Sequence, residues 1–274
     1  MVSTPIPRYQ HDEARASPLE SYYRQPELWE MGRFEASEHQ RLRARVIAAL
    51  LDPEVASVLD VGCGNGFVTR ELRARGLVVG LDPSAEALAR FEGNSVLGTS
   101  DALPFGDRSF DAVVCTEVLE HLNQAVFEET VRELPRVAAR YLVIGVPYRQ
   151  DLRQGMTQCG ECGWRYHVDL HQRSFNKPDE VLRLFPGFSI EGAVLLGVRH
   201  DIGSRLFSIL RNALAGPPAH SEFARCPKCG SSKNLRYREM KGRRLRRWFF
   251  AGVEWRMPKR HVPNWMVLLL WRRM

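Results

Sequence analysis

The sequence predicts an α/β protein built on a doubly wound, mostly parallel, seven-stranded sheet with a Cys-rich insertion. Short apolar runs alternate with helical patterns between residues 57 and 146, which is typical of parallel strands covered by helices on both faces. A turn with glycines at alternate positions, 62–66, directly follows the first apolar run. The length of 274 residues and the hydrophobic content of 44% suit one elaborated domain with a buried core.

The predicted elements follow the apolar pattern in chain order. An amphipathic helix is predicted at 39–51, where it ends before Asp52-Pro53. The strands that follow are predicted at 57–61, 77–81, 94–98, 110–115 and 140–146. The helices between them are predicted at 66–75, 84–91 and 117–138, the last with a break near Pro135. The remaining elements are a helix at 177–184, a strand at 188–196, a helix at 200–214 and an antiparallel last strand at 265–271.

These elements divide the chain into four expected segments. Residues 1–38 form an N-terminal arm with lid helices, and residues 39–197 form the core that binds a ligand. Residues 198–263 form a basic insertion, whose cysteines are expected to act together with those at 159–162, and residues 264–274 form the last core strand. Residues 1–20 are polar and proline-containing, and we expect them to form a loose arm. We find no signal peptide near the N-terminus and no apolar run long enough to cross a bilayer, so the expected location is cytoplasmic.

Acidic residues follow the predicted strands at the edge of the sheet where ligands bind. In such sheets ligands lie at the carboxyl ends of the strands. Asp60 closes the first strand just before the glycine turn, and Asp82 lies twenty-two residues further on, at the end of the second. Because glycine has no Cβ, the turn can take positive φ and approach a ligand closely.

These stretches resemble the cofactor site of class I S-adenosylmethionine-dependent methyltransferases, which have a Rossmann-like fold. The resemblance extends to 100–105, which contains Asp101-Ala102, and to 116–122. It implies that Asp60 accepts from the cofactor's ammonium group, Asp82 from both ribose hydroxyls, and Asp101 from the adenine amino group. A dinucleotide site would need a glycine where Phe67 stands. The implied cofactor-binding residues are Asp60, Gly62, Cys63, Gly64, Gly66, Asp82, Asp101, Ala102, Leu103 and Glu117.

A second group of polar residues suggests how an acceptor is activated. On a helix Glu117, Glu120 and His121 would share one face, and His171 follows later in the chain. This pattern resembles the metal-assisted O-methyltransferases of ubiquinone biosynthesis and of small-RNA 3′ ends. The resemblance implies that the four residues bind Mg²⁺ or a similar cation, which chelates two neighbouring oxygens of the acceptor. The alternative is a site without metal, in which His121 acts as a general base or only packs.

Two Cys-x-x-Cys pairs, each followed by glycine, predict a structural zinc site. They are Cys159/Cys162 and Cys226/Cys229, and this spacing lets two thiolates reach one ion. Without an export signal it favours metal over disulfides. An alternative set joins Cys159 and Cys162 to His167 and His171. Two further cysteines, Cys63 and Cys115, are interpreted as packing residues.

The charge is strongly asymmetric along the chain. Residues 225–274 hold 15 Lys and Arg against 2 Asp and Glu, a net of +13, whereas the remainder has a net of −6. The basic region fits an anionic partner, namely a phosphorylated intermediate, RNA or a membrane surface, or else a solvated basic face.

We expect an enzyme that transfers a methyl group from S-adenosylmethionine to a hydroxyl of a small molecule or of a sugar or glycan precursor. An RNA methyltransferase is the first alternative, favoured by the basic region and the zinc-ribbon pattern. A non-catalytic binding or scaffold protein that keeps the fold is the second, and it need not bind the cofactor.

Overall fold

A computed structural model describes residues 22–201, 204–216, 219–234, 244–257 and 260–273. Its centre is a seven-stranded sheet, whose strands are β1 (Ser57–Val61), β2 (Leu77–Asp82), β3 (Asn94–Leu97), β4 (Phe110–Thr116), β5 (Ala138–Pro147), β8 (Phe188–Leu196) and β11 (Trp265–Arg272). Across the sheet the strand order is β3-β2-β1-β4-β5-β11-β8. This confirms the predicted fold class.

The strand pairing brings three carboxyl ends together at one edge of the sheet. β1 pairs in parallel with β2 on one side and with β4 on the other, so that Asp60 stands between Gly80 and Val114. β11 runs antiparallel to both β5 and β8, as predicted for the last strand. The sheet therefore places the glycine turn, the end of β2 and the end of β4 side by side.

Six helices of the described chain accompany the sheet. They are α1 (Met31–Ala36), α2 (Glu38–Leu50), α3 (Thr69–Leu72), α4 (Ala85–Leu88), α5 (Gln124–Val137) and α6 (Pro178–Leu182). The helix predicted at 66–75 is shorter, with the 3₁₀ turn Arg73–Arg75 after α3, and the one predicted at 84–91 keeps a single turn. The helix predicted at 177–184 is also present in shortened form.

The prediction of a helix from residue 117 is wrong. Glu117 has a φ of +59°, a left-handed conformation that a right-handed helix cannot contain. The helix begins only at Gln124, where the Asn123 side chain accepts a hydrogen bond from the Val126 N–H at 3.1 Å. Pro135 lies inside α5, which ends two residues later.

Alternate residues of the strands feed two apolar layers, one on each face of the sheet. Leu59 and Val113 belong to the layer that packs under α5 and α6, whereas Val58 and Val114 belong to the layer that includes Ile47 of α2. Cys115 is fully buried in the first layer. This two-sided burial explains why the central strands are continuous apolar runs.

The segment between β5 and α6 and the insertion at 198–263 add smaller elements. The hairpin of β6 (Met156–Gln158) and β7 (Arg165–His167) follows β5. The elements of the insertion are β9 (Arg199–Asp201), α7 (Arg205–Leu214), α8 (Arg244–Arg256) and β10 (Arg260–Val262), with β9 paired to β10. The helix predicted at 200–214 therefore begins later, after β9. The predicted loose arm lies outside the described residues, and so do Arg236, Arg238, Lys241 and Arg243. Within the described chain, every helix falls short of the length and apolarity that crossing a bilayer requires.

Candidate active site

The glycine turn has the backbone that its sequence predicts. Gly62, Gly64 and Gly66 have φ values of +74°, +56° and +82°, which residues with a Cβ rarely adopt. A Cβ on Gly62 would also lie 2.3 Å from Cγ2 of Val118. The N–H groups of Gly62 and Cys63 donate to the Leu81 carbonyl at 2.7 and 3.1 Å, which fastens the turn to the end of β2.

Two buried carboxyls flank this turn. Asp82 accepts hydrogen bonds from the N–H groups of Gly64 and Ser84, both at 2.8 Å. Asp60 accepts from the Thr69 hydroxyl at 2.5 Å. Burial raises the pKa of each carboxyl to about 6, although these hydrogen bonds act in the opposite direction. The structure therefore brings Asp60, the turn and Asp82 together.

The loop after β3 lies against the same edge of the sheet. The Gly98 N–H donates to the Asp82 carbonyl at 3.1 Å, and the Leu103 N–H donates to Oε2 of Glu133 at 2.8 Å. Asp101 has one buried carboxylate oxygen, Oδ1, that accepts no hydrogen bond from the residues described. A buried acceptor without a partner is what a ligand donor would satisfy.

Glu117 does not join the acidic and histidine group that the sequence predicts. Its carboxylate accepts a hydrogen bond from Nε1 of Trp265 at 2.8 Å and lies 3.7 Å from Nη1 of Arg43. The expected common helical face does not form, because residues 117–123 are turn and loop rather than helix. Burial raises the pKa of Glu117, and Arg43 opposes that rise.

Glu120, His121 and His171 do come together. One ligand atom from each of the three lies within 4.8 Å of the others. Glu120 is fully buried, and neither of its carboxylate oxygens accepts a hydrogen bond from a residue that the structure describes. A buried carboxylate of this kind is stabilised by a cation or by a proton.

The His171 ring meets the His121 ring edge-on and stacks on the ring of a third histidine, His167. The ring centroids of His121 and His171 are 4.6 Å apart, and those of His171 and His167 are 4.8 Å apart. Burial lowers the pKa of His121 and His167 to about 4 and that of His171 to about 2. Neutral imidazoles have a free lone pair for a proton or a metal ion. Among the residues that the structure describes, His171 groups with Glu120 and His121, and the alternative zinc set of Cys159 and Cys162 with His167 and His171 does not form.

The four cysteines form the second group. The Sγ atoms of Cys159 and Cys229 are 3.6 Å apart, as are those of Cys162 and Cys226, and all four lie within 4.8 Å of one another. The structure therefore brings together residues separated by more than sixty positions in the chain.

An N-terminal segment, residues 22–29, covers the glycine turn. Trp29 packs on Gly64, where an added Cβ would lie 2.7 Å from the indole ring. Nδ2 of Asn65 donates to the Trp29 carbonyl at 3.0 Å. The Tyr23 ring stacks on Trp29 and meets His121 edge-on, with centroid distances of 6.1 and 5.9 Å. The sequence predicts a lid in this part of the chain. Its contacts with the glycine turn and with His121 could not be predicted, because no sequence motif indicates them.

Comparisons with known proteins agree with this arrangement. A family model described as a methyltransferase domain matches residues 59–141. Demethylmenaquinone methyltransferase of Thermotoga maritima is 34% identical over 180 residues, which cover 54% of this chain and 76% of that enzyme. Ubiquinone biosynthesis O-methyltransferase of Xanthomonas axonopodis pv. citri is 33% identical over 92 residues, 30% of this chain and 38% of that enzyme.

The fold is also found among solved structures. The crystal structure of 1,6-didemethyltoxoflavin-N1-methyltransferase of Burkholderia thailandensis, described with bound 1,6-didemethyltoxoflavin and S-adenosylhomocysteine, has a TM-score of 0.54 at 15% identity, over 100% of this chain and 94% of that chain. At this identity the likeness shows the fold.

The chain belongs to the methyltransferases, and its fold is that of the class I S-adenosylmethionine-dependent enzymes. It is an enzyme whose cofactor is S-adenosylmethionine.

Proposed function

We propose that this methyltransferase methylates a hydroxyl oxygen of a small molecule such as a sugar or glycan precursor. The observation that carries the proposal is the group of Glu120, His121 and His171, which the Tyr23 ring links to the covered glycine turn. The group supplies a buried carboxylate and neutral imidazoles where an acceptor hydroxyl would be held and deprotonated. The likeness to the Xanthomonas relative, an O-methyltransferase, supports oxygen as the accepting atom.

The cofactor would lie on the glycine turn. When bound, S-adenosylmethionine supplies a methyl group already activated by its sulfonium. Asp60 would accept from the ammonium group and Asp82 from the ribose hydroxyls, because both carboxyls are buried beside the turn. The buried, unpartnered Oδ1 of Asp101 supports a contact with the adenine amino group. The other expected cofactor contacts stay predictions: Gly62, Cys63, Gly64, Gly66, Ala102, Leu103 and Glu117.

Glu120, His121 and His171 would hold a divalent cation. Their fit is supported by the unsatisfied Glu120 carboxylate and by the proximity of the three ligand atoms. Such a cation lowers the pKa of an acceptor hydroxyl and fixes its orientation. Two nitrogen ligands suit a transition metal at least as well as Mg²⁺. Without a metal, His121 would act as the base directly.

Metal content and methyl transfer, measured together, distinguish these two roles. If a metal assists, we expect EDTA to lower activity at least about tenfold, and Glu120→Gln and His171→Ala to lose the bound metal. If His121 is a metal-free base, activity survives EDTA and is lost in His121→Ala. His220→Ala is the matched control, since His220 is an exposed histidine of the insertion. Full activity of His121→Ala in EDTA would contradict both roles.

We also propose that Cys159, Cys162, Cys226 and Cys229 hold a structural zinc ion. In a tetrahedral site with Zn–S distances of about 2.3 Å, the sulfurs are about 3.8 Å apart. The Sγ separations of 3.6 Å in two of the pairs fit that geometry. Zinc there would fasten the hairpin of β6 and β7 to the insertion that precedes β11.

A further inference from the structure

Two helices of the basic insertion pack on each other through a small inner face. The rings of Phe207 in α7 and Phe250 in α8 are 5.6 Å apart between centroids, and both side chains are buried. Nη1 of Arg211 forms an ion pair with Oε2 of Glu254 at 3.0 Å. These contacts hold the two helices side by side, and they involve only the inner face of each helix.

The outer sides of these helices carry large apolar side chains that are exposed. Their exposed fractions range from 44% to 84%, whereas side chains of this kind usually lie inside a protein. On α8 three of them recur at the spacing of one helix face, and on α7 two are three residues apart. Leu214 of α7 also lines the same surface pocket as four residues of α8, namely Leu245, Arg246, Phe249 and Phe250. We call this surface the apolar helix face: Leu206, Ile209, Leu245, Trp248, Phe249 and Trp255.

Exposed positive charge lies next to this face. α8 contains four arginines and one glutamate, and that glutamate, Glu254, is already paired with Arg211. α7 contains no acidic residue. Arg246 and Arg256 are exposed next to the face, and the whole of 225–274 has a net charge of +13. The surface is therefore both apolar and cationic.

We propose that the apolar helix face docks on the surface of an anionic lipid bilayer. Interfacial helices combine an apolar face with basic residues that meet lipid phosphates. Tryptophan is favoured at this depth because its ring is apolar and its N–H is polar. The helices would lie on the bilayer without crossing it. The proposal concerns where the enzyme works and does not depend on the acceptor or on a metal at the active site.

The composition of the face favours a bilayer over two other occupants. RNA stacks its bases on aromatic rings, but exposed aliphatic side chains such as Leu206, Ile209 and Leu245 gain nothing from a nucleic acid backbone. A second copy of this chain would bring its own arginines against those of the first, which is unfavourable. A bilayer with anionic headgroups takes up the aliphatic, aromatic and basic side chains together.

Vesicle sedimentation with the full chain tests the proposal. Vesicles of phosphatidylcholine containing one-third phosphatidylglycerol are compared with vesicles of phosphatidylcholine alone. We expect binding to the anionic vesicles at least about tenfold tighter than to the neutral ones, and weaker at high salt. Trp248→Ala/Trp255→Ala should lower that binding at least about tenfold. Trp164→Ala is the matched control, because Trp164 is 50% exposed outside this face, and it should bind like the unaltered protein.

Each other outcome overturns the proposal. Absence of binding to anionic vesicles does so, and so does equal binding by the double variant. Retention of a short RNA by the unaltered protein without vesicle binding would assign the surface to RNA. A dimer by light scattering that the double variant abolishes, again without vesicle binding, would assign it to a second copy. Circular dichroism and S-adenosylmethionine binding check that the variants are folded. A second variant, Arg246→Glu, should also weaken binding to the anionic vesicles.

Discussion

Asp60→Asn should make the protein more stable at pH 8 and weaken its affinity for S-adenosylmethionine. The carboxyl is only 2% exposed, and burial raises its pKa from an ordinary 3.8 to about 6. The folded protein therefore holds this proton more tightly than the unfolded chain. Its contribution to stability is fully present below pH 3.8 and is lost as the pH rises through about 6.

The magnitude follows from the size of the pKa change. Since one pKa unit corresponds to about 1.4 kcal/mol, the ionised Asp60 lowers the free energy of unfolding by about 3 kcal/mol at pH 8. An asparagine keeps an oxygen that can accept from Thr69 and has no charge to bury. If Asp60 accepts from the cofactor ammonium, as proposed, losing that charge-assisted hydrogen bond removes about 1.5–3 kcal/mol of binding. That corresponds to roughly a 10- to 150-fold weaker Kd.

Urea denaturation at pH 8 and pH 4, with calorimetric titration of S-adenosylmethionine at pH 8, measures both effects. The stability advantage of Asp60→Asn should be present at pH 8 and vanish at pH 4. Asp111→Asn is the matched control: Asp111 lies at the opposite end of the sheet, where it accepts from the N–H groups of Ala56 and Ser57. These bonds lower its pKa against the opposing effect of burial, so its replacement should destabilise at pH 8 and leave the Kd unchanged. A less stable Asp60→Asn with an unaltered Kd would refute the reasoning.

Two further predictions concern the lid and the cysteines. Trp29→Ala should weaken S-adenosylmethionine binding about tenfold, because it removes the ring that covers Gly64. The control Trp164→Ala removes a tryptophan elsewhere and should leave the Kd unchanged. Equal Kd values for the two variants would show that the lid is irrelevant to binding. Cys226→Ser should lose about one zinc ion per chain by elemental analysis and lower the melting temperature, whereas Cys115→Ser, buried in the sheet, should destabilise without changing zinc content. A zinc-free unaltered protein would contradict the zinc site.

The strands could be predicted closely from the sequence, and the helices less so. The predictions at 57–61 and 188–196 match β1 and β8 residue for residue. β1 is an apolar run because it is buried inside the sheet, whereas β8 is an edge strand along which more and less exposed residues alternate. The helix predicted at 84–91 is a single turn, Ala85–Leu88. Apolar spacing shows which face of a helix packs, but it does not show where capping and chain reversal end the helix.

Some residues of the candidate site could be placed from the sequence, and others could not. Asp60, the glycines and Asp82 could be placed from sequence because each lies next to a strand end whose position the sheet dictates. Glu117 could not, since its left-handed φ breaks the helix that would have aligned it with Glu120 and His121. His171 joins these two only through the fold, since fifty residues separate it from His121.

The cysteine group and the lid are parts of one packed unit, although neither sequence pattern shows it. Tyr22 belongs to the same apolar cluster as Cys159 and Cys226, and Nε2 of Gln25 donates to the Phe223 carbonyl at 2.8 Å. The guanidinium of Arg33 lies 4.1 Å above the Phe223 ring. The segment that covers the glycine turn therefore also packs against the region of the four cysteines. Packed interiors transmit displacement, so a change in the four-cysteine site would also displace the segment 22–29 that covers the glycine turn. We therefore expect Cys226→Ser to weaken S-adenosylmethionine binding although Cys226 lies outside the proposed cofactor site.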